Sequence, residues 1–286
     1  METQRAYTQA LLQRADVQSV LVVQRHDMPT SFLAEKCYLV MVNRPDADMT
    51  IRQFVYDGEF ISEQQFSTWQ LEKWAVHGMN ERLVGLFQQA EIIWDKADYM
   101  KGMKQRLLRL PAPLQKQRVC EEYSGLLRRY LEAKDLLQQG LALDAYQSLM
   151  LALRAWARLI VSEAGEQPQT AIWLQVKQLD SAVYKLYEEL SASSETVEKR
   201  IELLLLAIDF CLTSKLRECS QYVLDVMQSR NRPWLLQELL DHPVLARSRI
   251  ELPLLLEKLV QRSIVQEVFL PSITEHVNEK AYLLSG

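Results

Sequence analysis

Four short stretches near the start constrain the fold most. Residues 17–23 (VQSVLVV) and 37–42 (CYLVMV) are apolar on both alternations, the pattern of strands covered on both faces. Residues 51–56 and 59–61 flank Asp57-Gly58, a pair that tolerates the positive φ values of a tight hairpin. Strand character returns only at 91–95 (EIIWD) and in two alternating segments near the C-terminus. Strands gathered at one end and helices after them predict an α+β chain with a small mixed sheet.

The rest of the chain reads as helices and connections. Ala6, Tyr7, Ala10, Leu11 and Leu12 have helical spacing. Residues 24–34 fit a turn and a short helix capped by Thr30 or Ser31. From Ser62 the pattern turns helical through Phe66, Trp69, Leu71 and Trp74, stopping at His77-Gly78. A short helix around 82–87 and a longer one over 99–110 follow, the latter ended by Pro111-Ala112-Pro113. Residues 114–228 predict an antiparallel helical bundle, with helices over 114–137, 144–163, 172–179, 183–190 and 195–212. Gly140 closes the first of these. Short helices over 233–240 and 252–260, then alternation over 264–270 and 280–284, give the order of a winged helix-turn-helix. The expected domains are 1–113, 114–228 and 229–286.

Composition removes several classes of function. A formal net charge of -4 gives no overall attraction to nucleic acid or anionic membrane. Four cysteines without CxxC spacing read as buried free thiols of a reducing cytosol. The N-terminus lacks an apolar signal core, and the longest apolar run, 203–208, is far too short to span a bilayer. A soluble cytoplasmic protein is expected. The four histidines have no metal-ligand spacing, and no P-loop or Gly-x-Ser-x-Gly is present.

The chain resembles a bacterial family of nucleotidyltransferase-like proteins over nearly its whole length. The resemblance rests on 20–23 followed by 39–42, on Val55-Tyr56-Asp57-Gly58-Glu59, and on Ile92-Ile93-Trp94-Asp95. In the helical part it rests on 128–134 (RRYLEAK), 143–146 (LDAY), 173–177 (WLQVK) and 183–190 (VYKLYEEL). It implies a reduced nucleotidyltransferase domain, a helical bundle and a C-terminal winged-helix-like module. Active nucleotidyltransferases place Gly-Ser after the first strand, Asp-x-Asp on the second and a third acid on a later one. Those acids hold two magnesium ions. Here the first loop, 24–31, lacks glycine, and the second strand offers only Glu35, beside Lys36. Glu59 is the candidate for the third position.

One acid with a lysine beside it cannot hold two dications, so the expectation is a catalytically silent protein acting as a ligand-binding or interaction module. No cofactor is assigned to it. One alternative is an active nucleotidyltransferase on a small hydroxyl acceptor, with magnesium and nucleotide supported by Glu35 or Glu59. A second is a DNA-binding regulator acting through the C-terminal module. DNA is not the expected partner, because the would-be reading helix begins with Glu251 and apolar residues. That module suits packing, a protein partner or homodimerisation. Candidate ligand contacts are His26 and Asp27 on the first loop and Arg129, Arg154 and Arg158 on the bundle. The arginines would grip a nucleotide or another small anion. The competing reading makes His26 a surface turn residue and pairs the arginines with Glu132, Asp135 and Asp144.

Overall fold

Strands that are apolar on both alternations have to lie inside a sheet. In the computed structural model, which describes residues 2–24, 34–44, 49–271, 276 and 278–285, β1 (Val17–Gln24) and β2 (Lys36–Val42) do so. With β3 (Thr50–Tyr56), β4 (Glu59–Ser67) and β5 (Glu91–Asp95) they form one sheet of order β3-β4-β2-β1-β5. The central strand β2 runs antiparallel to β1 and parallel to β4. Val20, Val22, Tyr38 and Val40 face α1 (Glu2–Leu12), packing on Tyr7 and Leu11. Leu21, Cys37, Leu39 and Met41 share the opposite core with residues of α2 (Thr68–His77), α3 (Glu81–Gln89) and α4 (Tyr99–Leu108).

Local chemistry fixes the ends of these elements. Asp57 (φ 51°) and Gly58 (φ 80°) make the expected hairpin. The Ser67 hydroxyl accepts the Gln70 backbone N–H at 3.1 Å, and the Asn80 side chain accepts that of Leu83 at 2.9 Å, capping α2 and α3. The Asp95 carboxylate does more. It accepts the backbone N–H groups of Met100 and Lys101 at 2.9 and 3.0 Å, and the Ser19 hydroxyl at 2.6 Å. The turn that brings those N–H groups round takes Ala97 and Asp98 into the left-handed region, at φ 56° and 52°.

The polar run Ser62-Glu63-Gln64-Gln65 is not the start of a helix. It continues β4, paired in register with β2 from Lys36↔Ile61 to Val42↔Ser67, and α2 starts only at Thr68. Pairing on both edges outweighs the polar composition, because β2 on one side and β3 on the other together take up the backbone groups of the run. The expected turn and helix within 24–34, with Thr30 or Ser31 as cap, lie mainly outside the described residues.

The described residues cluster into two units, 1–114 with 165–171 and 115–164 with 172–286. In the first, the buried Gln167 side chain accepts the Met79 backbone N–H at 2.8 Å and donates to the Leu107 carbonyl. The second is built on α5 (Ala112–Gln138), α6 (Ala142–Glu163), α7 (Ile172–Leu179), α8 (Ser181–Ala192) and α9 (Val197–Cys219). The last helix runs seven residues past its expected end at 212, because Leu212, Leu216 and Cys219 keep one buried face. The buried Tyr123 hydroxyl donates to the Leu212 carbonyl at 2.5 Å, and Tyr130 donates to Asp209 at 2.9 Å. Gly140 (φ 78°) closes α5 as expected.

The C-terminal segment comprises α10 (Gln221–Met227), β6 (Trp234–Leu235), α11 (Leu236–Leu240), α12 (Leu252–Gln261), β7 (Val265–Pro271) and β8 (Asn278–Leu284). Its sheet has three strands, β6-β8-β7, rather than the two expected, since Trp234 and Leu235 pair with Tyr282 and Ala281. Trp234, Leu239, Leu252 and Leu256 belong to the same hydrophobic core as α5, α6 and α9. All four cysteines are free and buried. Among the described residues no helix is long and apolar enough to cross a membrane.

Replacing Asp95 by Ala removes three hydrogen bonds and strands the buried Ser19 hydroxyl. Urea unfolding should show a loss of about 2 kcal/mol, with Asp95→Asn recovering part of it.

Candidate functional site

The acids proposed for the sheet do not converge on a metal. Glu35 is exposed one residue before β2, and its backbone N–H donates to the Phe60 carbonyl at 2.9 Å. Glu59 opens β4 and accepts the Lys36 ammonium at 2.5 Å, so a lysine of the neighbouring strand neutralises it.

The buried acid of this sheet is Glu63, which sequence reasoning missed. It is 0% exposed and lies beside Tyr38 of β2 and Arg52 of β3 in the strand register. Strand alternation puts Lys36 and Tyr38 on its side of β2. Glu63 accepts the Tyr7 hydroxyl and, at 2.5 Å, the Gln65 amide; the exposed Arg52 stands 3.7 Å away. Burial, and then the Glu63 carboxylate, push the Tyr7 phenol well above its usual range. The available signal was a polar run whose length continues the register of 36–42, concealed by its helix-like composition.

A pair of magnesium ions needs several hard oxygens with uncommitted lone pairs. Glu59 is tied to an ammonium, and Glu63 is filled by two donors beside a guanidinium. Among the described residues no three His, Cys, Asp or Glu side chains come together as a metal site. The described side chains do not fit the ions. His26 and Asp27 lie outside the described residues.

On the bundle the arginines pair with three glutamates of α5. Arg158 is bound to Glu122 at 2.7 Å, a partner not anticipated, and Arg129 is bound to Glu132 at 2.8 Å, one that was. Arg154 is exposed one turn from Arg158, and its charge acts on Glu122. The structure adds Arg118, which binds the buried Glu121 at 2.9 Å, and Arg249, whose backbone N–H donates to the same carboxylate at 3.1 Å. Burial, and then the adjacent Glu121, push Glu122 up to about 7 against the pull of Arg118, Arg249 and Arg154. Burial and Arg249 lower Arg158.

Space lies beside this cluster. Arg118, Glu122, Gly125 and Arg129 recur at helical spacing on one face of α5. The Arg158–Glu122 ion pair joins that face to the Arg154 and Arg158 face of α6. Apart from the adjoining residues and backbone of α5 itself, no described atom stands within 4 Å of where a Gly125 Cβ would be. Gly125 thus has open space over its α-carbon, on the face of α5 that carries Arg118, Glu122 and Arg129.

The C-terminal module turns inward at the end that would meet DNA bases. Glu251, at the N-terminus of α12, binds Arg128 at 2.7 Å, and its backbone N–H donates to the Ser124 hydroxyl at 3.1 Å. Leu252, Leu255, Leu256 and Leu259 are buried, leaving Pro253, Glu257 and Gln261 exposed.

Comparison with known proteins divides the chain in a related way. Residues 1–115 match a family described as nucleotidyltransferase-like. Residues 116–215 match a YgxA-like substrate binding domain, and residues 221–284 a helix-turn-helix domain. The chain is 30% identical over 266 residues to the uncharacterized protein YgxA of Bacillus subtilis (strain 168), covering 92% of this chain and 90% of that one. It is also similar to the crystal structure of a nucleotidyltransferase-like protein from Exiguobacterium sibiricum 255-15. The TM-score is 0.69 at 26% identity, over 99% of this chain and 98% of the other.

Glu122 has a higher pKa folded than unfolded, so its contribution to stability is complete below the unfolded carboxylate range. It is lost as pH rises through about 7. Urea midpoints of the natural chain should therefore fall between about pH 5 and 8, and Glu122→Gln should flatten that slope.

Proposed function

The chain belongs to the YgxA-like family of nucleotidyltransferase-like proteins, and on that premise we propose a ligand-binding protein that does not carry out metal-dependent nucleotidyl transfer. The ligand is a small anion, a nucleotide or another phosphate- or carboxylate-bearing molecule. Arg154, Arg158 and Arg129 hold it beside Gly125, with Arg118 and Arg249 adding positive charge.

The observations that carry this reading are the open space at Gly125 and the Arg158–Glu122 pair, which joins the α5 face of Arg129 to the α6 face of Arg154 and Arg158. Planar guanidinium groups match phosphate and carboxylate oxygens two at a time. Proton uptake by Glu122 near neutrality releases positive charge on Arg158 to an incoming anion. The description "substrate binding domain", attached to the family that matches 116–215, supports this reading.

Two features support the silent half of the proposal. Lys36 occupies Glu59, and Tyr7 and Gln65 occupy Glu63, so carboxylate oxygens that would grip dications are already engaged. A duplex-reading role is opposed by the α12 N-terminus, whose Glu251 is held against α5. In this reading 1–113 is the inherited sheet domain, 114–228 holds the ligand, and 229–286 supports it.

Calorimetry of the full chain with nucleoside triphosphates should show binding that does not require magnesium. Affinity should strengthen from about pH 8 to 6, and Arg154→Met should weaken binding by about tenfold. Affinity unchanged by Arg154→Met and by Gly125→Leu would remove the ligand assignment. Transfer of labelled nucleotide to any acceptor would end the silent reading. Retention on duplex DNA that falls with rising salt would restore the DNA-binding alternative.

A further inference from the structure

A cavity lies well along the chain from the arginines of the bundle, where α9 and α10 meet the end of the wing. It has a volume of about 460 Å³, within the usual range for a small-molecule site. Its lining includes two cations, Arg217 and Arg230, and no Asp or Glu. Arg217, exposed in the last turn of α9, makes no ion pair among the described residues. Arg230 is bound to Glu238 and lies over the Trp234 ring at 3.5 Å, yet its Nε is buried without an acceptor. The Ser285 hydroxyl, just past β8, is likewise buried without a partner. Leu224, Met227 and Ile264 supply an apolar wall.

Buried donors without acceptors are costly to leave unanswered, and an unopposed guanidinium beside an apolar wall defines what would answer them. We propose that this cavity binds a small organic anion. Its phosphate or carboxylate lies on Arg217, with Ser285 and the Arg230 Nε as further donors, and an apolar body of a few carbons rests on Leu224, Met227 and Ile264. A molecule seated there bridges α9 and α10 to the ends of β7 and β8, and so fastens the wing to the bundle. The site is independent of the one proposed at Arg154 and Arg158.

The test uses the full chain carrying Arg154→Met, so that the proposed bundle site contributes little heat. Hexyl phosphate, hexanoate, inorganic phosphate and hexanol are titrated separately by calorimetry. Hexyl phosphate or hexanoate should bind, and inorganic phosphate and hexanol should each bind at least about tenfold more weakly. Which of the two acids binds more tightly distinguishes phosphate from carboxylate. Arg217→Met on the same background should lower the affinity of the better acid by about tenfold or more. In the natural chain the same probe should shift the backbone amide resonances of Leu283, Leu284 and Ser285, a readout that needs no variant. Absence of heat from both acids overturns the proposal. So does affinity indifferent to Arg217→Met, or wing amides that do not move.

Discussion

A carboxylate cut off from water has to be answered by protein donors, and Glu63 is such a group. Left alone in an apolar sheet face it would cost several kcal/mol. The Tyr7 hydroxyl and the Gln65 amide answer it, which places α1 against β4 and sets the ring of Tyr7 among other aromatics. The Tyr7 ring lies 4.8, 5.5 and 5.1 Å from those of Tyr38, Phe54 and Tyr56. One buried acid thus explains the aromatic cover on this side of the sheet. It also explains why that side suits packing better than dication chemistry: its acidic oxygens are spent on neighbours.

The second unit follows a different logic. One apolar core runs from α5 and α6 into the helix-turn-helix segment, so the C-terminal module is an extension of the bundle rather than an appendage. Polar contacts follow the same path. Glu121 accepts from Arg118 and from the Arg249 backbone, and Arg128 holds Glu251. These contacts fasten the start of α12 to α5. The residues that pack α12 on α5 neighbour those proposed to hold a ligand, and burial beside Glu121 raises Glu122 to about 7.

Much of this architecture was legible beforehand, for reasons that differ by element. The two inner strands announced themselves because burial on both faces demands apolar residues at every position. The hairpin did so because Asp57-Gly58 is rare chemistry suited to positive φ. Helix ends were readable at Gly140, where a left-handed residue stops the chain, and unreadable at Cys219, where no breaker intervenes and packing alone decides. β4 was half seen: its first residues alternate, but Ser62–Gln65 carry polar side chains that no local rule assigns to a sheet interior.

Sequence alone determined the α+β class, the order of sheet, bundle and helix-turn-helix, and the thinness of the acidic ligand set, because these depend on composition and spacing along the chain. It also placed Arg154 and Arg158 on one helical face, since they are one turn apart. Only the tertiary structure decided which acid is buried, that Lys36 closes on Glu59, that Glu122 rather than Asp144 receives Arg158, and that Gly125 leaves room beside them. Each of these joins residues far apart in the chain, and neither propensity nor period carries information about such pairs until the strands and helices have met.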